Sequence, residues 1–423
     1  MKFTSLGLAP QLQKAIDSCG YKDMTPVQEQ CISILRKGRD LLVNAQTGTG
    51  KTAAFALPML QRLVDNPVEN SFGHPRALIL TPTRELAEQL ARIISGYAQF
   101  LKLKIIATYG GVKTAAQVNK FKAGIDVLIS TPGRLIEHLS MGHVNLAEVD
   151  YLVLDEADRM LDMGFVNDVA KIIQQTSPRR QTSLFSATMT PALNELSHKV
   201  LRNQQEIRVS KVNTTAETVE HVLYPVEESR KIDLFMDLLE EYNWFQVLVF
   251  TSTKRQAEQL LETLKKKKIQ AALCHGDKSQ GSRRRALADF KSAKLQVLVS
   301  TEIAARGLDI VGLDFVINYN LPFLAEDYVH RIGRTGRAGN TGTAISFVSR
   351  EEEQAVNRIE RIIGTKIKRI HRRGYEVSER SKLMKKIADK PQSFRSNKAD
   401  KKTSDIGRFS KRKASKHKSK KQK

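Results

Sequence analysis

Residues 45–52 read AQTGTGKT, and further along the chain the apolar run YLVL ends in three carboxylates, Asp155, Glu156 and Asp158. The first stretch suits phosphates. Gly48 and Gly50 let backbone N–H groups approach phosphate oxygens, Lys51 brings a charge to the β and γ phosphates, and the Thr52 hydroxyl can meet Mg2+. Gln46, Thr47 and Thr49 complete the loop, and Ala45 stands where the general pattern has glycine, small enough to fit. The acids are the second half of such a site. Asp155, at a strand end, holds Mg2+ through its water shell, while Glu156 orients and deprotonates an attacking water. Taken alone, three acids would read as a solvated helix start; with a phosphate loop on a neighbouring strand, they point to hydrolysis of a nucleoside triphosphate.

Such groups work only if strands and helices hold them. The strand DLLVNA precedes the loop and an apolar helix follows it, so the helix N-terminus adds partial positive charge. Between residues 40 and 188, DLLVNA, RALILTPT, KIIATYGG, DVLISTPGR, YLVLDEAD and TSLFSAT alternate with helix-period segments. Between residues 245 and 349, FQVLVFTST, QAALCHG, QVLVSTEIAARG, DFVINYNLP and GTAISFVS do so again. This βαβ rhythm predicts an α/β chain of two tandem domains, each a mostly parallel sheet covered by helices. DVLISTPGR and QVLVSTEIAARG both run from strand to Ser-Thr to Arg, an echo that favours a duplicated fold. The polar, Thr-rich residues 210–221 predict a linker, which leaves domains at 1–209 and 222–370 and a tail at 371–423.

The chain has 423 residues and is 41% hydrophobic, enough for two real cores, so disorder throughout is excluded. A net charge of +24 calls for a polyanionic partner, and with no membrane-sized apolar run nucleic acid leads. The N-terminus has no signal-peptide pattern, so the expected compartment is the cytoplasm. Cys19, Cys31 and Cys274 lack metal-ligand spacing and imply neither a disulfide framework nor a zinc site. Residues 391–423 hold 13 Lys/Arg against two Asp, a composition that cannot offset its ordering entropy, so a disordered basic tail is expected.

Residues 155–158 spell DEAD, and from Phe3 to about Val348 the chain resembles the DEAD-box ATP-dependent RNA helicases. The resemblance implies two RecA-like domains, ATP and Mg2+ as cofactors, RNA as partner, and ribosome assembly or RNA turnover as settings. GYKDMTPVQ, residues 20–28, looks like the family's adenine-reading Q motif, with Phe3 at the spacing of its upstream aromatic. It implies that Gln28 reads the adenine edge and that Tyr21 packs on the base; an amide donates and accepts at once, so it can tell adenine from guanine. PTREL (with Pro82, Thr83, Arg84), the pair Gly110 and Gly111, and TPGR (Thr131, Pro132, Gly133, Arg134) match the RNA-contacting motifs of the first domain. Hydroxyls, glycine N–H groups and arginines suit phosphates and sugars rather than base edges. SAT, with Ser186 and Thr188, is similar to the motif that couples nucleotide state to RNA opening, and Asp158 is its implied link.

In the second half VFTST, QGSR, STEIAARGLDI and HRIGRTGRAG follow in the family's order. They imply RNA contacts at Thr251 and Thr301, coupling at His330, a ribose contact at Asp309, and arginine fingers at Arg334 and Arg337. Arg331, Arg334 and Arg337 recur every three residues, which would line guanidiniums along one side and supply the cation that spreading transition-state charge needs. The second domain has no phosphate loop, so one ATP sits between the two. Glu302 stands where the family usually has Asp. FTSLGL, the Q motif and the basic tail are similar to the bacterial RhlE-type branch. Two other readings use the same residues: an RNA clamp or chaperone that ATP merely times, without repeated unwinding, and a DNA translocase on the same core.

Overall fold

Short runs of Val, Ile and Leu separated by helices are buried on both faces, as parallel sheets require. The computed structural model describes residues 1–45, 48–68, 72–209, 219–305, 310, 312–336 and 341–377. In the first lobe α1 (Pro10–Ser18) and α2 (Pro26–Arg36) lead into β1 (Leu41–Asn44), α3 (Lys51–Asp65), β2 (Ala77–Leu80), α4 (Arg84–Tyr97), β3 (Ile105–Thr108) and α5 (Thr114–Phe121). It continues through β4 (Val127–Ser130), α6 (Pro132–Ser140), β5 (Tyr151–Leu154), α7 (Ala157–Asp162), α8 (Val166–Gln174), β6 (Gln181–Ser186), α9 (Pro191–Val200) and β7 (Gln205–Arg208). The strands form one parallel sheet in the order β3-β4-β2-β5-β6-β1-β7.

The second lobe repeats the plan with β8 (Val219–Pro225), α10 (Lys231–Glu241), β9 (Val247–Thr251), α11 (Lys254–Lys266), β10 (Ala271–Cys274), α12 (Gln280–Lys291) and β11 (Val297–Thr301). Then come α13 (Glu302–Ala305), β12 (Phe315–Asn318), α14 (Ala325–Ile332), β13 (Gly342–Val348), α15 (Glu353–Ile363) and β14 (Lys368–Arg369). Its order, β10-β11-β9-β12-β13-β8-β14, is the same permutation, so β8 is the counterpart of β1, β12 of β5 and β13 of β6. Two tandem RecA-like lobes are therefore present, as expected.

Period-two alternation builds the cores. Leu41, Val43, Ile79, Ile129 and Val153 pack on one face of the first sheet, while Leu42, Leu78, Leu80, Leu128 and Leu152 pack on the other. Truncating one, such as Leu152→Ala, should cost about 2–5 kcal/mol. Because every strand points the same way, the loops after β1, β2, β4, β5 and β6 emerge along one edge, where such sheets bind ligands.

The structure corrects four expectations. The loop strand β1 and the carboxylate strand β5 are not neighbours: β6, which carries SAT, lies between them. The linker expected at 210–221 ends early, because β8 begins at Val219, and its residues 210–218 lie outside the described residues. Folded structure also runs past residue 370: Tyr375 is buried and its hydroxyl donates to Asp237 at 2.6 Å, within a unit that extends to Val377. Residues 378–423, most of the expected tail, lie outside the described residues. Finally, β7, β8 and β14 are strands beyond the eleven runs expected.

Candidate nucleotide and RNA site

The phosphate loop turns on two left-handed glycines, Gly48 at φ 88° and Gly50 at φ 90°. Gly50 has a second reason to lack a side chain: a Cβ there would lie 2.4 Å from Gln28 Nε2. Lys51 opens α3 and is buried, its ammonium donating to the Ala45 carbonyl at 2.9 Å across the loop. Thr52 follows on the first turn, and Thr49 is held by its carbonyl, which accepts from the Thr25 hydroxyl at 2.8 Å. Gln46 and Thr47 lie outside the described residues.

The Q motif is built onto this loop. Thr25 and Gln28 form a capping box at the start of α2, with Thr25 N–H donating to Gln28 Oε1 at 2.9 Å, while Gln28 Nε2 donates to the Gly50 carbonyl at 3.2 Å. One N–H and one lone pair of the amide stay outside these two bonds. Tyr21 stacks on the buried Phe3 with ring centroids 5.8 Å apart and meets Tyr97 edge-on.

At the end of β5, Asp155 is 4% exposed and its Oδ1 accepts from the Glu156 N–H at 3.1 Å. Burial raises its carboxyl above the usual range, and the Lys51 charge pulls the other way. Glu156 is half-buried, and burial followed by the Asp155 charge pushes its carboxyl up to about 7. Its backbone sits at φ 53°, a strained left-handed conformation of the kind that clusters at functional sites. Asp158 faces SAT: its Oδ2 accepts from Ala187 N–H (3.2 Å), Thr188 N–H (3.0 Å) and the Thr188 hydroxyl (2.9 Å), and the Ser186 hydroxyl donates to the Thr188 carbonyl at 2.7 Å. The donor set of the Thr52 hydroxyl and the Asp155 carboxylate beside a phosphate loop fits a hard cation such as Mg2+.

Helix N-termini line the neighbouring groove of about 370 Å3, walled by Pro82, Thr83, Arg84, Gly110, Thr131, Gly133 and Arg134 of the first lobe and Gly276, Arg283 and Ala304 of the second. Thr83 caps α4 by accepting from Leu86 N–H, Pro132 opens α6, and the carboxylates of Glu85 and Glu137 also line this groove. Gly111 (φ 78°) lies under Arg84, whose Nη1 would be 2.0 Å from a Cβ there. Arg134 walls the groove, and its guanidinium also binds the Thr114 hydroxyl (2.7 Å), the Val112 carbonyl (3.0 Å) and Glu137 (3.3 Å), which ties it to the glycine loop. Thr251 departs from the expectation of a direct RNA contact: it is fully buried with its hydroxyl on the Thr253 carbonyl, leaving Ser252 and Thr253 as the exposed residues of that edge. Thr301 is 8% exposed.

The arginine row does not survive as a row. α14 ends at Ile332, so three-residue spacing no longer keeps one side. His330 and Arg334 are half-buried, whereas Arg331 is 2% exposed and turned into the lobe. Its Nε meets Glu302 at 2.5 Å, its Nη1 donates to Asn318 Oδ1 (3.1 Å) and the Asn320 carbonyl (2.7 Å), and its guanidinium lies over Phe250. Arg337 and Asp309 lie outside the described residues. Contacts that the sequence reading missed join the lobes: Arg159 with Asp327, both buried, Arg283 with Glu85 at 2.9 Å, and Arg284 with Glu88. Arg283 belongs to the QGSR motif, which was a pointer; nothing in the sequence around Arg159 points to a partner 168 residues away.

Residues 25–196 match the DEAD/DEAH box helicase family and residues 230–339 the helicase conserved C-terminal domain. The chain is 39% identical over 371 residues to the ATP-dependent RNA helicase RhlB of Pseudomonas syringae pv. tomato, covering 86% of this chain and 94% of that one. It is 38% identical over 372 residues to the ATP-dependent RNA helicase DeaD of Buchnera aphidicola, covering 88% of this chain but only 61% of that longer protein. In structure it is similar to S. cerevisiae Dbp5 bound to RNA and ADP BeF3, with TM-score 0.77, 30% identity and 91% and 99% of the two chains covered. The DEAD-box helicase Mss116 bound to ssRNA and UDP-BeF gives TM-score 0.79 at 28% identity, covering 90% and 81%. Among the described residues no helix is long and apolar enough to cross a membrane. A likeness that runs through both lobes, at this identity and with these carboxylates on this loop, has one meaning: the chain belongs to the DEAD-box ATP-dependent RNA helicases.

Proposed function

We propose that the two lobes, with ATP held between them, grip one strand of a short RNA duplex by its backbone, bend it until the partner strand is lost, and reopen on hydrolysis. The observation that carries this reading is the shared groove: both lobes wall it, and the Arg283–Glu85 and Arg159–Asp327 pairs join the lobes around it. Eight to ten base-pair steps at about 1.4 kcal/mol each hold roughly 11–14 kcal/mol, so local opening suits short helices.

The residues divide the work. Gly48, Gly50 and Lys51 seat the phosphates, with Gln46, Thr47 and Thr49 in the same loop, and Gln28 and Tyr21 take the base. Thr52 and Asp155 would hold Mg2+, which neutralises charge on the β and γ phosphates when bound. Glu156, raised to about 7, accepts a proton from the attacking water near neutral pH. Arg334 and Arg337 supply cations from the second lobe, Asp309 takes the ribose, and Asp158, Ser186, Thr188 and His330 transmit lobe closure. RNA contacts fall to residues 82–84, 110–111 and 131–134 and to Ser252, Thr253 and Thr301. The basic tail tethers RNA; with six phosphate contacts, deleting residues 391–423 should reduce the log-affinity slope against log salt by about four units. An RhlE-type role in the cytoplasm, in ribosome assembly or RNA turnover, completes the reading.

Glu156→Gln tests it. The variant should lose at least about a hundredfold in ATP turnover, lose strand separation, and keep ATP-dependent RNA binding. Repeated strand separation by this variant would refute the cycle, and equal ATPase stimulation by RNA and by DNA of the same sequence would refute the choice of RNA.

A further inference from the structure

Lys231 is the second lobe's counterpart of Lys51. Each opens the helix that follows the equivalent strand, β8 and β1. Lys231 is fully buried, and its ammonium is held by Glu228 at 2.7 Å and Glu352 at 2.6 Å. Where Lys51 donates to a loop carbonyl, Lys231 meets two carboxylates.

These anions begin a longer chain. Glu228 Oε1 accepts from Gln256 Nε2 (3.0 Å) and from Asn320 Nδ2 (3.2 Å). Asn320 is buried, and its Oδ1 accepts from the N–H of Ser252 at 3.2 Å. Its main-chain carbonyl accepts from Arg331 Nη1. One residue thus touches both the exposed turn of Ser252 and Thr253, at the start of α11, and the arginine three residues before Arg334. Gln256 closes the same turn, accepting from Thr253 N–H at 3.2 Å. Asn320 and Arg331 are buried while Glu228 is half-exposed, so breaking the chain at Asn320 leaves an unsatisfied polar group on its inner side.

We propose that Asn320, with Lys231 and Glu228 behind it, is a positioning residue: it registers the RNA-facing turn against Arg331 and so sets Arg334 when RNA is engaged. The inference rests on the function proposed above. Asn320 is 4% exposed and acts through the groups on either side.

The test compares ATP hydrolysis with and without poly(U) RNA in the full chain. Asn320→Ala should lower the RNA-stimulated kcat about tenfold, as misplacement remote from the chemistry does, with KM for ATP and the unstimulated rate unchanged. Asn320→Asp is isosteric and keeps the acceptor for Ser252 but replaces the donor to Glu228 with a second carboxylate, so it should lose at least as much as Asn320→Ala. Leu264→Ala, in the α11 core, is the stability control: it should lower Tm and keep the ratio of stimulated to unstimulated rate. If both Asn320 variants keep the wild-type ratio and only lose Tm, the role is structural and the proposal is overturned. A wild-type chain whose ATPase ignores RNA would overturn the proposed function instead.

Discussion

The two lobes fold to one plan and use it for opposite ends. After β1 the first lobe places a glycine loop, Lys51 and, from β5, the buried Asp155. After β8 the second lobe places Lys231, but Glu228 and Glu352 surround it, and the residue after β12 is Tyr319, whose ring lies 6.0 Å from the ammonium. The edges match more closely elsewhere: Thr83 caps α4 as Thr253 caps α11, and the Ser130 and Ser300 hydroxyls both donate to the carbonyl of the next residue, at 3.1 Å. A duplicated sheet can therefore keep its strand-end geometry for backbone recognition while one copy closes its nucleotide seat with carboxylates. The lysine stays; its partner changes from a loop carbonyl to two carboxylates.

Substituting the two lysines should separate these roles most sharply. Lys51→Ala should remove ATP hydrolysis by about a thousandfold or near it, because a preorganised charge at the phosphates is lost. Lys231→Met should leave ATP affinity within about twofold yet destabilise the chain by roughly 2 kcal/mol, less than a fully buried pair would cost because Glu228 is half-exposed. Nucleotide titration and thermal unfolding on both variants measure this. Weakened ATP binding in Lys231→Met would mean that the second lobe is no closed copy.

The pairs between lobes make the next test. Arg159 also meets Asp162 at 3.2 Å, so it keeps a partner when Asp327 is removed, whereas Asp327 has its buried partner across the interface. Asp327→Ala should weaken RNA binding in the presence of a non-hydrolysable ATP analogue by about tenfold, near 1.4 kcal/mol, and leave unfolding of the chain nearly unchanged. An equal loss of RNA binding without nucleotide would show that the pair serves the second lobe alone rather than closure.

What the sequence made legible follows from how local each signal is. The phosphate loop, DEAD and the eleven apolar runs announce themselves within a few residues. β7 reads Gln-Glu-Ile-Arg and buries only Ile207, so as an edge strand it lacked an apolar run. β8 was hidden because His221 is buried on the Tyr328 hydroxyl, 107 residues away, inside a stretch that looks polar. Lys231 reads as a solvated helix start in EESRK; its partner Glu352 is 121 residues distant. Arg331 matched a motif, and its neighbours in sequence suggested a shared face, but the end of α14 separated them. Polar groups whose partners are remote cannot be placed by pattern, because pattern records only which residue is apolar.

Glu302 offers the finest test of the comparison, since its counterpart at the end of β4 is Pro132: both open the helix after a Ser-Thr strand end. The first lobe puts there a residue with no charge, the second a carboxylate 2.5 Å from Arg331 Nε. Aspartate, usual in the family, is shorter by one methylene, about 1.5 Å of reach, so with the backbone unmoved the contact opens. Arg331 would still hold Asn318 and Asn320, and α13 has only one turn to carry inward. Glu302→Asp should therefore cost about 1 kcal/mol in stability and roughly threefold in RNA-stimulated rate, with ATP affinity unchanged. A rate equal to wild type would mean that α13 moves freely to follow its carboxylate, and that the Arg331 seat is set by Asn318 and Asn320 alone.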